Sequence, residues 1–314
     1  MNIAFIAPLQ RAWARMQRML FRPFRLETWA VMGFAAFLSD YLSGGATGSY
    51  GGSSHWRPRH RMIPHEAMQR VWDFIRDPAM LGLVIGIGVV ALAVAVVLQW
   101  VSCRGRFVFL DNVVQERAAI TAPWARFKRQ GDSLFVWTLL FWLVIGCAVL
   151  VIALPFLASM RSLFNEEEFH WAGLLSMAGF MFMAIPVVLA AAYTALFLNN
   201  FVVPIMYQHG LTATAAWGRF LTLLRAHPVS FIAYGVLRIA LYLAIGFSVM
   251  VVGFSTCCIG FVLVATPYVG QVFLLPVMAT LRGFGPEFLA QFGPEFDVFA
   301  APSVVPAAPQ AGTP

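Results

Sequence analysis

Residues 79–102 read AMLGLVIGIGVVALAVAVVLQWVS, from Ala79 to Ser102 without a single charged residue. As a helix rising 1.5 Å per residue the stretch is about 36 Å long, enough to cross the hydrocarbon core of a bilayer. It has no in-and-out alternation, so it is not a barrel strand. Lipid offers no partner for backbone polar groups, which leaves a helix as the spanning form.

Working outward, similar runs occupy about 26–42, 133–160, 171–203, 229–252 and 259–281. Hydrophobic residues make up 60% of the 314 and charged residues only 11%, with a mean hydropathy of +0.77. A water-soluble domain carries about a quarter charged residues, so a soluble protein is excluded. The expectation is an all-α membrane protein with six transmembrane helices.

The net charge of +7 is almost wholly arginine, with Lys128 the only lysine. These residues flank the apolar runs, which points to anionic lipid headgroups. The aromatic-plus-basic pattern of a nucleic-acid module is missing, so no nucleic acid is expected as a partner. With six spans, the segments on the side of the termini hold 14 Lys and Arg and the opposite loops hold 6. By the positive-inside rule both termini are cytoplasmic.

A short pattern recurs on that side: AWARM (Ala12 to Met16), PWARF (Pro123 to Phe127) and AWGRF (Ala216 to Phe220). Each copy precedes an outward-going span. The chain therefore parses as three hairpins, each preceded by a cytoplasmic interfacial amphipathic helix, an internal repeat. Trp13, Trp124 and Trp217 are expected at headgroup level, with Arg15, Arg126 and Arg219 reaching lipid phosphate as interfacial anchors. FVVPIM (Phe201 to Met206) and FLLPVM (Phe273 to Met278) repeat at unit exits.

The domains follow. Residues 1–26 form an interfacial amphipathic helix, with Arg11, Arg15, Arg18 and Arg22 largely on one face, rather than a cleavable signal peptide. Residues 27–282 form the six-helix domain, and 283–314 a cytoplasmic tail, disordered where it turns Pro/Ala-rich.

Four stretches carry a family resemblance: LFRPFRLETWAVMGFAAFL (Leu20 to Leu38), RGRFVFLDNVVQERAAITAPWARFKRQGDSLFVW (Arg104 to Trp137), TCCIGFVLVATPYVGQVFLLPV (Thr256 to Val277) and FLAQFGPEFDVF (Phe288 to Phe299). With these the chain resembles a family of bacterial polytopic membrane proteins of unknown function. Its general plan is also similar to the membrane domain that accompanies some glycerophosphodiester phosphodiesterases, whose catalytic domain is missing here. The resemblance implies a multi-pass protein of the bacterial inner membrane and supplies no catalytic residues. FGPEF occurs twice, at Phe284 to Phe288 and Phe292 to Phe296, which leaves the register of the tail motif open.

Candidate site residues are few. Arg238 lies inside the fifth span, where a charge is costly and faces protein or water. Gln271 lies at a similar depth in the sixth, Asn199 at the matching position of the fourth, and Asp40 near the outer end of the first. This intramembrane polar cluster reads either as a site for a headgroup, ion or solute, or as an interhelical hydrogen-bonded clamp. Pro155, Pro186 and Pro267 mark kinks or broken helices. Gly82 and Gly86 suggest close helix packing.

His55, His60 and His65 with Glu66, and Glu166 with His170, match no standard metal-ligand spacing, and the four cysteines lack a CxxC pair. No metal or cofactor is expected. With no catalytic motif present, the chain is not expected to be an enzyme. It reads as a scaffold or partner-binding membrane subunit, with membrane lipids as partners and a protein docked on Gln291 to Phe299. The alternative is a small transporter or lipid-handling protein built around Arg238.

Overall fold

The computed structural model describes residues 3–41, 78–165, 171–256 and 259–300, and among these the chain is all helical. Helix α1 covers Ile6–Phe21, and α2 covers Leu26–Ala36 before a π turn at Phe37–Tyr41. Then come α3 (Pro78–Val114), α4 (Thr121–Arg126), α5 (Lys128–Asn165) and α6 (Trp171–Phe197). A second π turn at Leu198–Val202 leads into α7 (Val203–His209). The chain continues as α8 (Ala213–Ala226), α9 (Pro228–Ser255), α10 (Ile259–Ala265), α11 (Pro267–Phe273) and α12 (Leu275–Leu289), then two 3-10 turns.

Four helical segments among the described residues are long and apolar enough to cross a membrane: Pro78–Val114, Lys128–Phe156, Ala178–His209 and Pro228–Ser255. Along α3 every residue from Pro78 to Ala95 is exposed. A surface so apolar is stable only against hydrocarbon or another apolar surface. Nothing lies within 4 Å of a Cβ built on Gly82 or Gly86. The close packing expected of that pair is therefore not made with the described part of this chain.

The other end of the same helices is packed. α3 does not stop at Ser102 as expected but runs on to Val114, and Ser102 to Val113 are buried. Its charges stay helical because the fold supplies their partners. Arg104 makes hydrogen bonds of 2.8 and 3.0 Å to both oxygens of Asp132 and lies over Trp100. The fully buried Asp111 accepts from Arg117 at 2.6 Å and from the Tyr207 hydroxyl at 2.9 Å. Around this end sits an aromatic core, with Phe201, Phe220, Phe231, Tyr234, Phe284 and Phe288 fully buried. Ring centroids lie 4.8 Å apart for Phe201 and Tyr234 and 5.0 Å for Phe201 and Phe231, in the range where aromatic pairs add to area burial.

The first and sixth expected spans take other forms. α2 with its π turn spans Leu26–Tyr41, roughly 24 Å by helical rise and short of a full core. The stretch 259–281 is broken twice. Thr266 is extended, as a residue before proline prefers, and α11 and α12 each restart with proline in the first turn. The two stretches lie against each other: Tyr268 donates to the Ala30 carbonyl at 2.9 Å, and a Cβ on Gly33 would meet Val272.

Residues 283–300 are not a free tail. Gly283 to Leu289 complete α12 and are buried. Gln291 to Phe299 fold back on the chain, with Phe292 stacked on Phe231 at 5.1 Å and the Asp297 carbonyl accepting from Gln208. Enough apolar side chains recur here to bury the segment, which an outline based on long apolar runs overlooks. The two FGPEF copies do different work: the first is helical, whereas Gly293 of the second sits at φ 149°, a conformation that favours glycine. Residues 301–314 lie outside the described residues.

The Trp-x-Arg pattern has a packing explanation. Its first and fifth residues are buried in all three copies: Ala12 and Met16, Pro123 and Phe127, Ala216 and Phe220. A spacing of four puts both on one helical face. α1 lies against α12 through Ala12, and Glu287, itself buried, takes Arg11 at 2.7 Å and Arg15 at 3.3 Å.

Packing tolerance differs sharply along the chain. A Cβ on Gly285 would sit 2.5 Å from the Asn200 carbonyl oxygen. Gly285→Ala should therefore cost about 1–3 kcal/mol and lower the melting temperature of the purified protein. Gly82→Ala, with open space around it, should leave that temperature unchanged or slightly raised.

Candidate anion cavity

The local break in the Ala178–His209 segment begins with one missing donor. Val203 N–H reaches past Asn199 to the Leu198 carbonyl, and the next residue, Pro204, has no N–H. The Asn199 carbonyl therefore has no helical donor. It is reached instead by Arg282 Nη1 at 3.3 Å, while Nη2 of the same guanidinium donates to the Arg106 carbonyl at 2.7 Å. In the first π turn the Ser39 carbonyl is taken by the Ser102 hydroxyl at 2.9 Å. π turns cluster at functional positions, and both of these face one cavity.

That cavity has a volume of about 410 Å³, within the range of ligand sites. Asp40 comes from the first π turn, Asn199 and Asn200 from the second, Arg106 from α3, Arg238 from α9 and Arg282 from α12. Thr138, Tyr193 and Tyr242 add polar edges, and Phe141, Trp142, Leu189 and Ile239 form apolar walls. The three arginines are only 6%, 5% and 9% exposed. Arg238 donates from Nη1 to the Leu281 carbonyl at 2.8 Å, just ahead of the turn that Pro286 disturbs. Nε of Arg238 and of Arg282 and Oδ1 of Asn199 are buried without a hydrogen-bond partner. Asp40 is the only acid among the described lining residues, which therefore carry three positive charges against one negative.

The structure thus brings together Arg238, Asn199 and Asp40 of the expected cluster. Asp40 is not near the far end of the chain's apolar layer; its neighbour Ser39 is level with Ser102. Gln271 does not line the cavity, and Arg238 is bound to α12 rather than to it; Gln271 is buried with Oε1 unpartnered. Arg106 and Arg282 were not among the expected site residues, because both stand where an apolar run gives way to a charged segment. The signal for them is the apolar periodicity that continues past each: Phe107 and Leu110 after Arg106, Phe284 and Phe288 after Arg282, all fully buried.

The expected lipid anchors divide. Trp13 is exposed, as are Arg126 and Arg219. Arg15 is not free to reach lipid, being held by Glu116 at 3.1 Å, by Glu287 and by the face of Phe299. Trp124 lies edge-on to Trp100, and Trp217 stacks on Trp137 at 5.3 Å.

A separate cleft of about 330 Å³ between α9 and α10–α12 is lined by Leu241, Val249, Val264 and Phe273. Its one hydroxyl, Ser248, is already bonded to the Ala244 carbonyl, so it offers no polar chemistry. Among the described residues no three His, Cys, Asp or Glu are grouped to hold a metal. His55, His60, His65, Glu66, Glu166, His170, Cys257 and Cys258 lie outside the described residues.

Arg282 gives the Asn199 carbonyl the donor that its own helix lacks, so its removal has a defined cost. Arg282→Ala should lose about 1–3 kcal/mol, read as a lower melting temperature in detergent. Arg282→Lys should recover only part of the loss, since an ammonium cannot reproduce the fork.

The chain belongs to the family of unknown function DUF7544, whose model matches residues 4–304. No curated protein and no solved structure matches the chain.

Proposed function

We propose that this member of the family is a multi-pass membrane protein that holds an anionic ligand in the arginine-lined cavity, as a small transporter or lipid-handling protein. One observation carries the proposal: among the described residues, three buried guanidiniums and a single carboxylate share a cavity of ligand size. Burying a charge is expensive unless it is compensated. Three arginines set against one acid, two of them with an Nε unpartnered, are an arrangement that an arriving anion completes.

The scaffold reading loses its main support, since Gln291 to Phe299, the segment suited to docking a partner, is folded onto the chain itself. No catalytic role is assigned to the cavity. In the proposed topology four long helices cross the bacterial inner membrane fully. The stretch 259–281 supplies a broken crossing, and 26–41 packs beside it toward the arginine-rich end. Both termini lie on the cytoplasmic side, where the interfacial helices carry the arginines, and the three Trp-x-Arg units remain as an internal repeat of interfacial helix and hairpin.

The test is thermal stability of the purified full chain in detergent against phosphate, sulfate, citrate and an anionic lipid, each at matched ionic strength. A ligand at a hundred times its Kd stabilises by about 2.7 kcal/mol, a rise of a few degrees in a protein of this size. The proposal expects such a rise with at least one multivalent or lipid anion. No shift with any of them would overturn it.

A further inference from the structure

We infer that the anion is the phosphate of a phospholipid that enters the cavity sideways from the leaflet at the arginine-rich end. The inference rests on the anion-cavity reading and names its ligand.

Three features lead to it. The first is charge and shape. Three guanidiniums against one carboxylate among the described lining residues suit a phosphate ester, whose oxygens pair with planar N–H forks. The second is depth. Arg238, Asn199, Thr138 and Arg106 each lie roughly 12–15 Å by helical rise from the end of their segment on the arginine-rich side. From Arg238 to the other end of α9 is about 26 Å, most of a 30 Å hydrocarbon core. The guanidiniums are therefore at the edge of the core, where lipid phosphates lie.

The third feature is the way in. Trp142 on α5, Leu189 on α6 and Ile239 on α9 line the cavity and are also exposed at the apolar surface of the bundle. A ligand passing between them has its charged group on the arginines and its chains against side chains that already face hydrocarbon. Trp142 at this mouth is about half exposed, a setting suited to an indole at the headgroup level. A free phosphate would satisfy the charges but would leave these apolar walls unused.

The experiment titrates the purified full chain in detergent with dioleoylphosphatidylglycerol, dioleoylglycerol and inorganic phosphate, read by tryptophan fluorescence and by melting temperature. Phosphatidylglycerol is expected to bind at least about tenfold more tightly than either of the others. Arg106→Gln should weaken it about tenfold, whereas Arg219→Gln, an exposed arginine outside the cavity, should not. Ala192→Trp, which fills the lining beside Tyr193, should weaken the lipid more than inorganic phosphate. Inorganic phosphate binding as tightly as the lipid, with both lost in Arg106→Gln, would overturn the lipid while leaving the anion cavity standing. Equal binding of dioleoylglycerol, or lipid binding indifferent to Arg106→Gln, would also overturn the inference. No binding by any probe would remove the cavity reading as well.

Discussion

A guanidinium taken out of water has to be given oxygen atoms, and a regular apolar helix has few to offer because each carbonyl is already bonded along the chain. This protein meets that constraint in part where a proline interrupts the ladder. Pro204 withholds the N–H that the Asn199 carbonyl needs, and Arg282 takes its place. The Asn200 carbonyl is turned toward Gly285, the one residue type that leaves room for it. Arg238 finds its oxygen on α12 just ahead of Pro286. The break at Pro204 thus supplies one of the oxygens that the arginines use, while the Arg106 and Leu281 carbonyls lie within α3 and α12.

The same long helices live in two environments. Over Pro78 to Ala95, α3 is apolar and every residue is exposed. From Ser102 onward it is enclosed by α1, α12 and the aromatic core. Ion pairs hold this enclosed end together: Arg104 with Asp132, Arg117 with Asp111, and Arg11 and Arg15 with Glu287. A cavity placed where one regime meets the other has a rigid polar floor and an apolar mouth. That is what a ligand with a charged head and a hydrocarbon body requires.

Much of this was legible in the residues. Long uncharged runs announce helices because nothing else satisfies the backbone in lipid, and four of the six expected runs became helices long enough to cross. Arg238 stood out for the same reason. The first and sixth runs differ because apolar character sets environment, not continuity: Pro267 and Pro276 break the sixth, and 16 residues are too few in the first. Arg106 and Arg282 were hidden by their position at the ends of runs, where arginine ordinarily meets headgroups or water. Their burial depends on tertiary neighbours, α1, the C-terminal turns and the second π turn, which no local window contains. The Trp-x-Arg pattern was visible as a repetition expected to anchor lipid, but its buried first and fifth residues carry packing, and of its tryptophans and arginines only Trp13, Arg126 and Arg219 are exposed.

The central claim is that a cationic cavity, open to its surroundings, lies between these helices. It is tested most directly by placing a single cysteine at Asn199 after replacing the four native ones, and comparing anionic and cationic methanethiosulfonate reagents. With three guanidiniums and one carboxylate among the described residues around the site, the anionic reagent should react about tenfold faster, and added salt should shrink the difference. Faster reaction with the cationic reagent, or no reaction with either, would contradict the account.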